Sequence, residues 1–211
     1  MRDPTSYPIK EAIVKVKKDS KTKFDATVEA HINLGIDVTK QNVRFTITLP
    51  HGTGKIQRVA VLSDKKVEQA DINLIESDLS KIEKGTLRPK IDFDVFITEP
   101  KFMPKIAKVA KILGPAGLMP NPKNGTVTDD IKKAVEQFKK GKIEVRTEQK
   151  APLIHIVIGK ISFDNKALEE NLNELISNLK KNRPPKAKPG WIKNVYLTST
   201  MGPSVKINLE D

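Results

Sequence analysis

Near each end of the chain, apolar and polar residues alternate one for one; in the middle they do not. Phe24, Ala26, Val28, Ala30, Ile32 and Leu34 alternate with Asp25, Thr27, Glu29, His31 and Asn33, and Val43, Phe45, Ile47 and Leu49 alternate with Arg44, Thr46 and Thr48. A period of two sends successive side chains to opposite faces, so these are strands with one dry face and one wet face. The same style returns at Ile143 to Arg146, Leu153 to Ile158 and Ile192 to Thr198. Between the two ends, Val59 to Leu62 and Val95 to Ile97 are unbroken apolar runs, the pattern of strands covered on both faces by helices. Neither end alone supplies more than a few strands and one helix, and an isolated hairpin is marginal in water. The pattern therefore predicts an α+β fold in which residues 1–52 and 142–211 form one discontinuous domain and residues 53–141 form an inserted α/β domain.

Helices fill the gaps. Ser6 is placed to cap a first helix with Pro8 early in it and Ile9, Ala12, Ile13 and Val16 on its inner face. A helix over Lys101 to Leu113 is expected to turn Met103, Ile106, Ala107 and Ala110 inward and Lys101, Lys105 and Lys108 outward. Thr128 is placed to cap a helix carrying Ile131, Ala134, Val135 and Phe138, stopped by Gly141. Asp164 is placed to cap the helix whose stripe is Leu168, Leu172, Leu175, Ile176 and Leu179. Gly52, Gly54 and Gly141 stand where the patterning changes and are the expected hinge.

Charge narrows the partner. Lys and Arg total 38 against 26 Asp and Glu, a formal charge of +12, and each cation set on a phosphate releases condensed counterions. Cysteine is absent, which removes disulfides, thiolate catalysis and cysteine-held metals. No apolar run approaches the roughly 20 residues of a membrane span, and the opening residues lack the apolar core of a signal peptide. A soluble, intracellular chain without membrane partners is expected.

Enzymatic signatures fail. Gly52 to Lys55 looks like the end of a phosphate-binding loop, but the full pattern needs glycine at 49 and Ser or Thr at 56, where Leu49 and Ile56 stand. His31, His51 and His155 are far apart in sequence, outside any two-histidine zinc motif, and read as hydrogen-bonding strand or hinge residues. No catalytic residue, metal or cofactor is expected. Two stretches remain unusual. Residues 111–127 (KILGPAGLMPNPKNGTV) hold three prolines and three glycines, which fix a loop. Leu118 and Met119 imply that this loop packs, and Lys123 can donate to a phosphate. Between Glu174 and Glu210 no acid occurs, while Lys180, Lys181, Arg183, Lys186, Lys188, Lys193 and Lys206 do, suggesting an RNA-facing surface. Aromatic residues are only 5%, so backbone, 2′-hydroxyl and shape contacts are expected to outweigh base stacking.

Four blocks in order, KFDATVE at 23–29, LPHGTGK at 49–55, GPAGLMPNPK at 114–123 with GTV at 125–127, and TMGPSV at 200–205, resemble the L-one family of ribosomal proteins, the stalk proteins of the large subunit. The Phe24 block and Leu34 to Asp37 are similar to its bacterial and organellar branch. The resemblance implies a split α/β sandwich domain built from both termini, holding an inserted Rossmann-like domain. It implies a non-enzymatic structural constituent of the cytoplasmic ribosome that binds large-subunit rRNA. It further implies a mobile stalk beside the E site, release of deacylated tRNA, repression of its own mRNA, and a monomer when free. The expected RNA-binding residues are Lys23, Phe24, Thr27 and Glu29 on the first strand, His155, Lys160 and Ser162 further on, and Thr200, Met201 and Gly202 in the last turn. Gly114, Gly117 and Lys123 are expected as secondary contacts or loop formers. Phe24 has a second expected role in packing, since it begins the apolar face. Two departures are Ala116, where the family commonly has arginine, and an N-terminus shorter than usual. A stalk-like protein of ribosome assembly and a nucleotide-using enzyme are the alternatives.

Overall fold

The computed structural model describes residues 6–148 and 150–209. The opening signal-peptide reading and Glu210 thus fall partly or wholly outside the described residues. The chain divides into two compact units, residues 1–55 with 143–211, and residues 56–142.

In the first unit, strand β1 (Thr27–Leu34) is central in a four-stranded sheet. Its neighbours are β7 (Leu153–Lys160) on one side and β8 (Ile192–Ser199) on the other, with β9 (Val205–Ile207) beyond β8; all pairs are antiparallel. Burial along β1 alternates as the sequence pattern requires: Val28, Ala30, Ile32 and Leu34 are buried, while Thr27, Glu29, His31 and Asn33 retain exposure. The buried face joins helices α1 (Ile9–Asp19) and α6 (Asn165–Lys181) in one core. Phe45 and Ile47 of β2 (Arg44–Thr48), and Val145 of its partner β6 (Lys142–Arg146), belong to the same core. α6 presents the expected stripe, Leu168, Leu172, Leu175, Ile176 and Leu179, and adds a fully buried Asn171.

Asn171 lies among leucines because its amide is fully employed. Its Oδ1 accepts from the His51 amide at 3.0 Å, and its Nδ2 donates to the carbonyls of Gly52 at 2.9 Å and Ile158 at 2.8 Å. One side chain thereby ties α6 to the end of the segment after β2 and to β7, satisfying groups that would otherwise be costly to bury.

The second unit has a parallel three-stranded sheet, β4 (Ile72–Leu74), β3 (Val59–Leu62) and β5 (Val95–Thr98) in that order. Every residue of β3 is buried because each face is covered: Ala60 and Leu62 pack with Phe102, Ile106, Val109 and Leu113, and Val59 and Val61 with Ile131, Ala134, Val135 and Phe138. The second group is carried by α5 (Ile131–Lys139). The helix α2 (Leu79–Glu83) completes the first cluster with Leu79 and Ile82.

Four local expectations are corrected. The first helix has Pro8 at its N-cap and no side-chain cap, so Ser6 plays no capping part. Residues 100–113 are not one helix but four short turns: a 3₁₀ turn (Pro100–Phe102), α3 (Met103–Ile106), a second 3₁₀ turn (Ala107–Val109) and α4 (Ala110–Leu113). Its buried residues are Phe102, Ile106, Val109 and Leu113, and Ala107 is exposed, because 3₁₀ turns of three residues rotate the inward face. The lysines there are largely spoken for: Lys101 meets Asp64 and Glu99, and Lys105 meets Glu76. α5 is capped by Asp130, which accepts from the Lys133 amide at 3.3 Å, while Thr128 accepts from Asp130. Asp164 precedes α6 without a side-chain cap bond.

Candidate nucleic-acid interface

At one end of the four-stranded sheet, residues distant in sequence meet. Thr27 lies opposite Lys160 in the β1–β7 register, and Val28 opposite Ser199 in the β1–β8 register. Beyond the last pair, the Thr200 amide donates to the Thr27 carbonyl at 2.9 Å, and the Thr27 amide donates to the Thr200 hydroxyl at 3.1 Å. Lys160 Nζ donates to the Thr27 hydroxyl at 2.8 Å. Asp25 holds Ser162 by two bonds, accepting from its amide at 3.0 Å and its hydroxyl at 2.9 Å. Seven of the ten expected RNA-binding residues (Thr27, Lys160, Ser162, Thr200, Met201, Gly202 and, two residues along the strand, Glu29) thus belong to one end of one sheet, with Lys23 and Phe24 on the approach to it.

The turn after β8 is built tightly. Gly202 donates to the Ser199 carbonyl at 2.8 Å and its own carbonyl accepts from the Thr198 hydroxyl at 3.1 Å. A Cβ at position 202 would stand 2.1 Å from Ser199 Oγ, so no side chain fits there without rearrangement. Met201 holds φ 62°, a left-handed conformation uncommon away from glycine, and is 91% exposed. Phe24 is 56% exposed. It precedes β1 by three residues and does not join the apolar face, so packing is not its role. The surface offers hydroxyls, a lysine ammonium and two apolar side chains with little buried area of their own. Such groups suit ribose hydroxyls, phosphates and the flat faces of sugars or bases.

His155 shares the open face but lies further along. It pairs with His31, four residues and about 13 Å along β1 from Thr27. The two Nδ1 atoms face each other at 2.6 Å, with rings edge-on at 4.8 Å. One imidazole must donate and the other accept, so the pair holds a single proton between them. Glu29 stands 3.8 Å from His31 and Glu148 3.5 Å from His155. Burial, and then the His155 charge, push the His31 pKa down, and Glu29 pulls it back in part. Next in the row across the sheet are Tyr196, opposite His31, and Lys206, opposite Tyr196.

The secondary set belongs to the second unit. Gly114 ends α4, where a Cβ would lie 2.8 Å from the Ala110 carbonyl oxygen; Gly117 has φ 72°. Lys123 is exposed in a turn held by Asn121, whose side chain accepts from the Lys123 amide at 2.9 Å. Leu118 and Met119 pack on the core of that unit. Gly52, Gly54 and Gly141, expected from the sequence as a hinge, hold φ of 64°, 75° and 98°.

Among the described residues, no group of three or more His, Cys, Asp or Glu could hold a metal ion, and no helix is long and apolar enough to cross a membrane. Sequence reasoning overlooked Asp25, Asn171 and Ser199, whose Oγ is buried without a partner beneath Gly202. A buried asparagine within a leucine stripe was the one visible signal of these.

Comparison with known proteins fixes the class first: the chain's relatives are ribosomal proteins, not enzymes. Large ribosomal subunit protein uL1 of Prochlorococcus marinus strain MIT 9312 is 46% identical over 211 residues, covering 96% of this chain and 88% of the relative. Its counterpart in strain MIT 9515 is 46% identical over 99% of this chain and 90% of its own length, and that of strain NATL1A is 45% identical over 98% and 89%. The Ribosomal protein L1p/L10e family matches residues 16–203, and the chain belongs to that family, as a structural protein of the large ribosomal subunit.

Proposed function

We propose that the chain binds large-subunit ribosomal RNA through the Thr27–Thr200 end of its four-stranded sheet. The observation that carries the reading is the pair of hydrogen bonds joining Thr27 to Thr200 across 173 residues of sequence. They bring the Lys23 to Glu29 segment and the Thr200 to Gly202 turn onto one surface, together with Lys160 and Ser162. On this reading the first unit is the RNA-binding domain, a split α/β sandwich. The second is a Rossmann-like insert carrying Gly114, Gly117 and Lys123 as secondary contacts, with Gly52, Gly54 and Gly141 as the hinge.

Anchored in this way, the protein forms the mobile stalk beside the E site, assists release of deacylated tRNA, and represses its own mRNA where that message copies the RNA fold. It acts as a monomer when free, in the cytoplasm. A gel-shift titration against the stalk RNA and a scrambled control tests the core of the reading. The stalk RNA is expected to bind at least tenfold tighter, with log affinity falling steeply as log salt rises. Equal affinity for both RNAs refutes it. Co-sedimentation with mature large subunits, rather than with assembly particles alone, separates this role from that of an assembly factor.

A further inference from the structure

Several described surface cations of the first unit are held by a neighbouring carboxylate. Lys10 meets Glu169, Lys15 meets Asp19, Lys40 meets Asp37 and Arg44 meets Glu144, at 2.5 to 3.9 Å. Another group of cations gathers in one groove without such partners. Lys180 at the end of α6, Lys193 on β8 and Lys206 on β9 line a groove of about 610 Å³ together with Arg183, Asn194 and Asn208, and none of its four cations makes an ion pair with a described residue.

The groove is shaped rather than incidental. Arg183 donates both Nε, at 2.9 Å, and Nη2 to the Ala187 carbonyl, closing the loop of residues 184–190 on itself. Pro184, Pro185 and Pro189 stiffen that loop. Trp191, 5% exposed, anchors its far end in the core. Lys180, Arg183, Lys193 and Lys206 thus line one groove beside a stiffened loop, with no carboxylate among its described lining residues, an arrangement that favours an incoming anion.

Position separates this groove from the recognition end. Asn194 and Thr200 are six residues apart along and just past β8, or about 20 Å at strand rise. A phosphate held by Thr27, Lys160 or Thr200 cannot also sit among Lys180, Lys193 and Lys206.

Resting on the reading above, we infer that this groove takes a second stretch of RNA phosphate backbone, reached only by RNA that extends about 20 Å past the recognition end. Recognition and affinity are then divided: the Thr200 end chooses the RNA, and the groove adds sequence-independent, salt-sensitive attraction.

The test uses the full chain carrying Lys180→Gln, Lys193→Gln and Lys206→Gln together. A control carries Lys10→Gln, Lys15→Gln and Lys40→Gln, which removes the same charge from paired positions. Both are titrated against the stalk RNA and against versions of it shortened stepwise from each end, with thermal melts to confirm folding. On full-length RNA the groove variant is expected to bind at least tenfold more weakly than the control and to lower the salt slope by about 2 to 3. From one direction of shortening, that deficit is expected to vanish at a definite length while the Thr200 dependence persists. No deficit on full-length RNA, a deficit matched by the control, or a deficit unchanged at every length overturns the inference. A Thr200→Val variant separates the two claims: if it binds every RNA as wild type does while the groove variant shows its length-dependent loss, the recognition surface is misplaced and the groove stands.

Discussion

On the proposed reading, Thr200 is the position where fold and RNA recognition share one hydroxyl, and its replacement by valine, nearly equal in shape, separates them. The hydroxyl oxygen accepts from the Thr27 amide at 3.1 Å, and its proton points to the Thr27 carbonyl at 3.3 Å. That carbonyl is already served by the Thr200 amide at 2.9 Å, so the hydroxyl proton is the one free to turn toward a ribose oxygen. Thr200→Val leaves one half-buried donor, the Thr27 amide, without its partner. The expected loss is about 1 kcal/mol of stability, or about 2 to 4 °C in Tm for a chain of this size. The hydroxyl is therefore not neutral to the fold, as a surface reading of a turn threonine would suggest. Affinity for the stalk RNA should fall further, by about 1 to 3 kcal/mol or roughly 5- to 150-fold, because a ribose group is left unpaired in a closed interface. Thr200→Ser keeps the hydroxyl and should bind within a few fold of wild type. Calorimetry for stability and filter binding at fixed salt, well below the melting range, read the two effects separately. Wild-type affinity in the valine variant would remove Thr200 from the interface, and an unchanged Tm would show that the Thr27 bond contributes nothing.

Asn171→Leu should cost roughly 2 to 6 kcal/mol, one full penalty for the buried Ile158 carbonyl and smaller ones for the half-buried His51 and Gly52 groups. A lowered urea midpoint at constant m-value checks it, and a midpoint within experimental scatter of wild type refutes it. His31, whose pKa lies below the ordinary histidine value, takes up its proton later in the folded chain than in the unfolded one. The unfolded state then binds more protons over that window, so stability present above about pH 6.5 is lost as pH falls toward the lowered pKa. His31→Gln should flatten this part of the urea-midpoint profile, and superimposable profiles would show that the pair does not couple to folding. Replacing residues 56–142 with a short Gly-Ser linker should leave a folded first unit that binds the stalk RNA within a few fold of the full chain. A folded product that fails to bind would assign an essential contact to the second unit.

Alternation made β1, β7 and β8 legible, since a period of two declares both the strand and its dry face. The stripe of α6 was legible for the equivalent helical reason. β4 and β9, three residues each, are too short to show a period. The stretch from Lys101 to Leu113 was misread because a uniform 3.6-residue turn was assumed through Pro104 and two 3₁₀ segments, each of which shifts the inward face. Phe24 continued the parity of the strand on paper, but β1 starts only at Thr27, and parity has no meaning before the strand begins. The meeting of Thr27 with Thr200 came from the family resemblance and not from patterning, which assigns faces to strands but says nothing of their neighbours or registers. Asn171 stands at the spacing of the leucine stripe and was passed over, and its three backbone partners are set by packing with segments more than a hundred residues away and by β7.

The central position of β1 gives the proposed RNA surface a birth time. At about 5 to 20 residues per second of synthesis, the 133 residues from Thr27 to its β7 partner Lys160 correspond to roughly 7 to 27 s during which β1 exists without either neighbour, and β8 follows only after that. Residues 56–142 emerge within that interval and contain all the strands of their own sheet. The strand carrying Val28, Ala30, Ile32 and Leu34 must meanwhile wait with its apolar side uncovered. On that reading a half-made chain has no complete surface with which to seize RNA, and a chain that stalls before β7 exposes a sticky, unpaired strand rather than a partial binder.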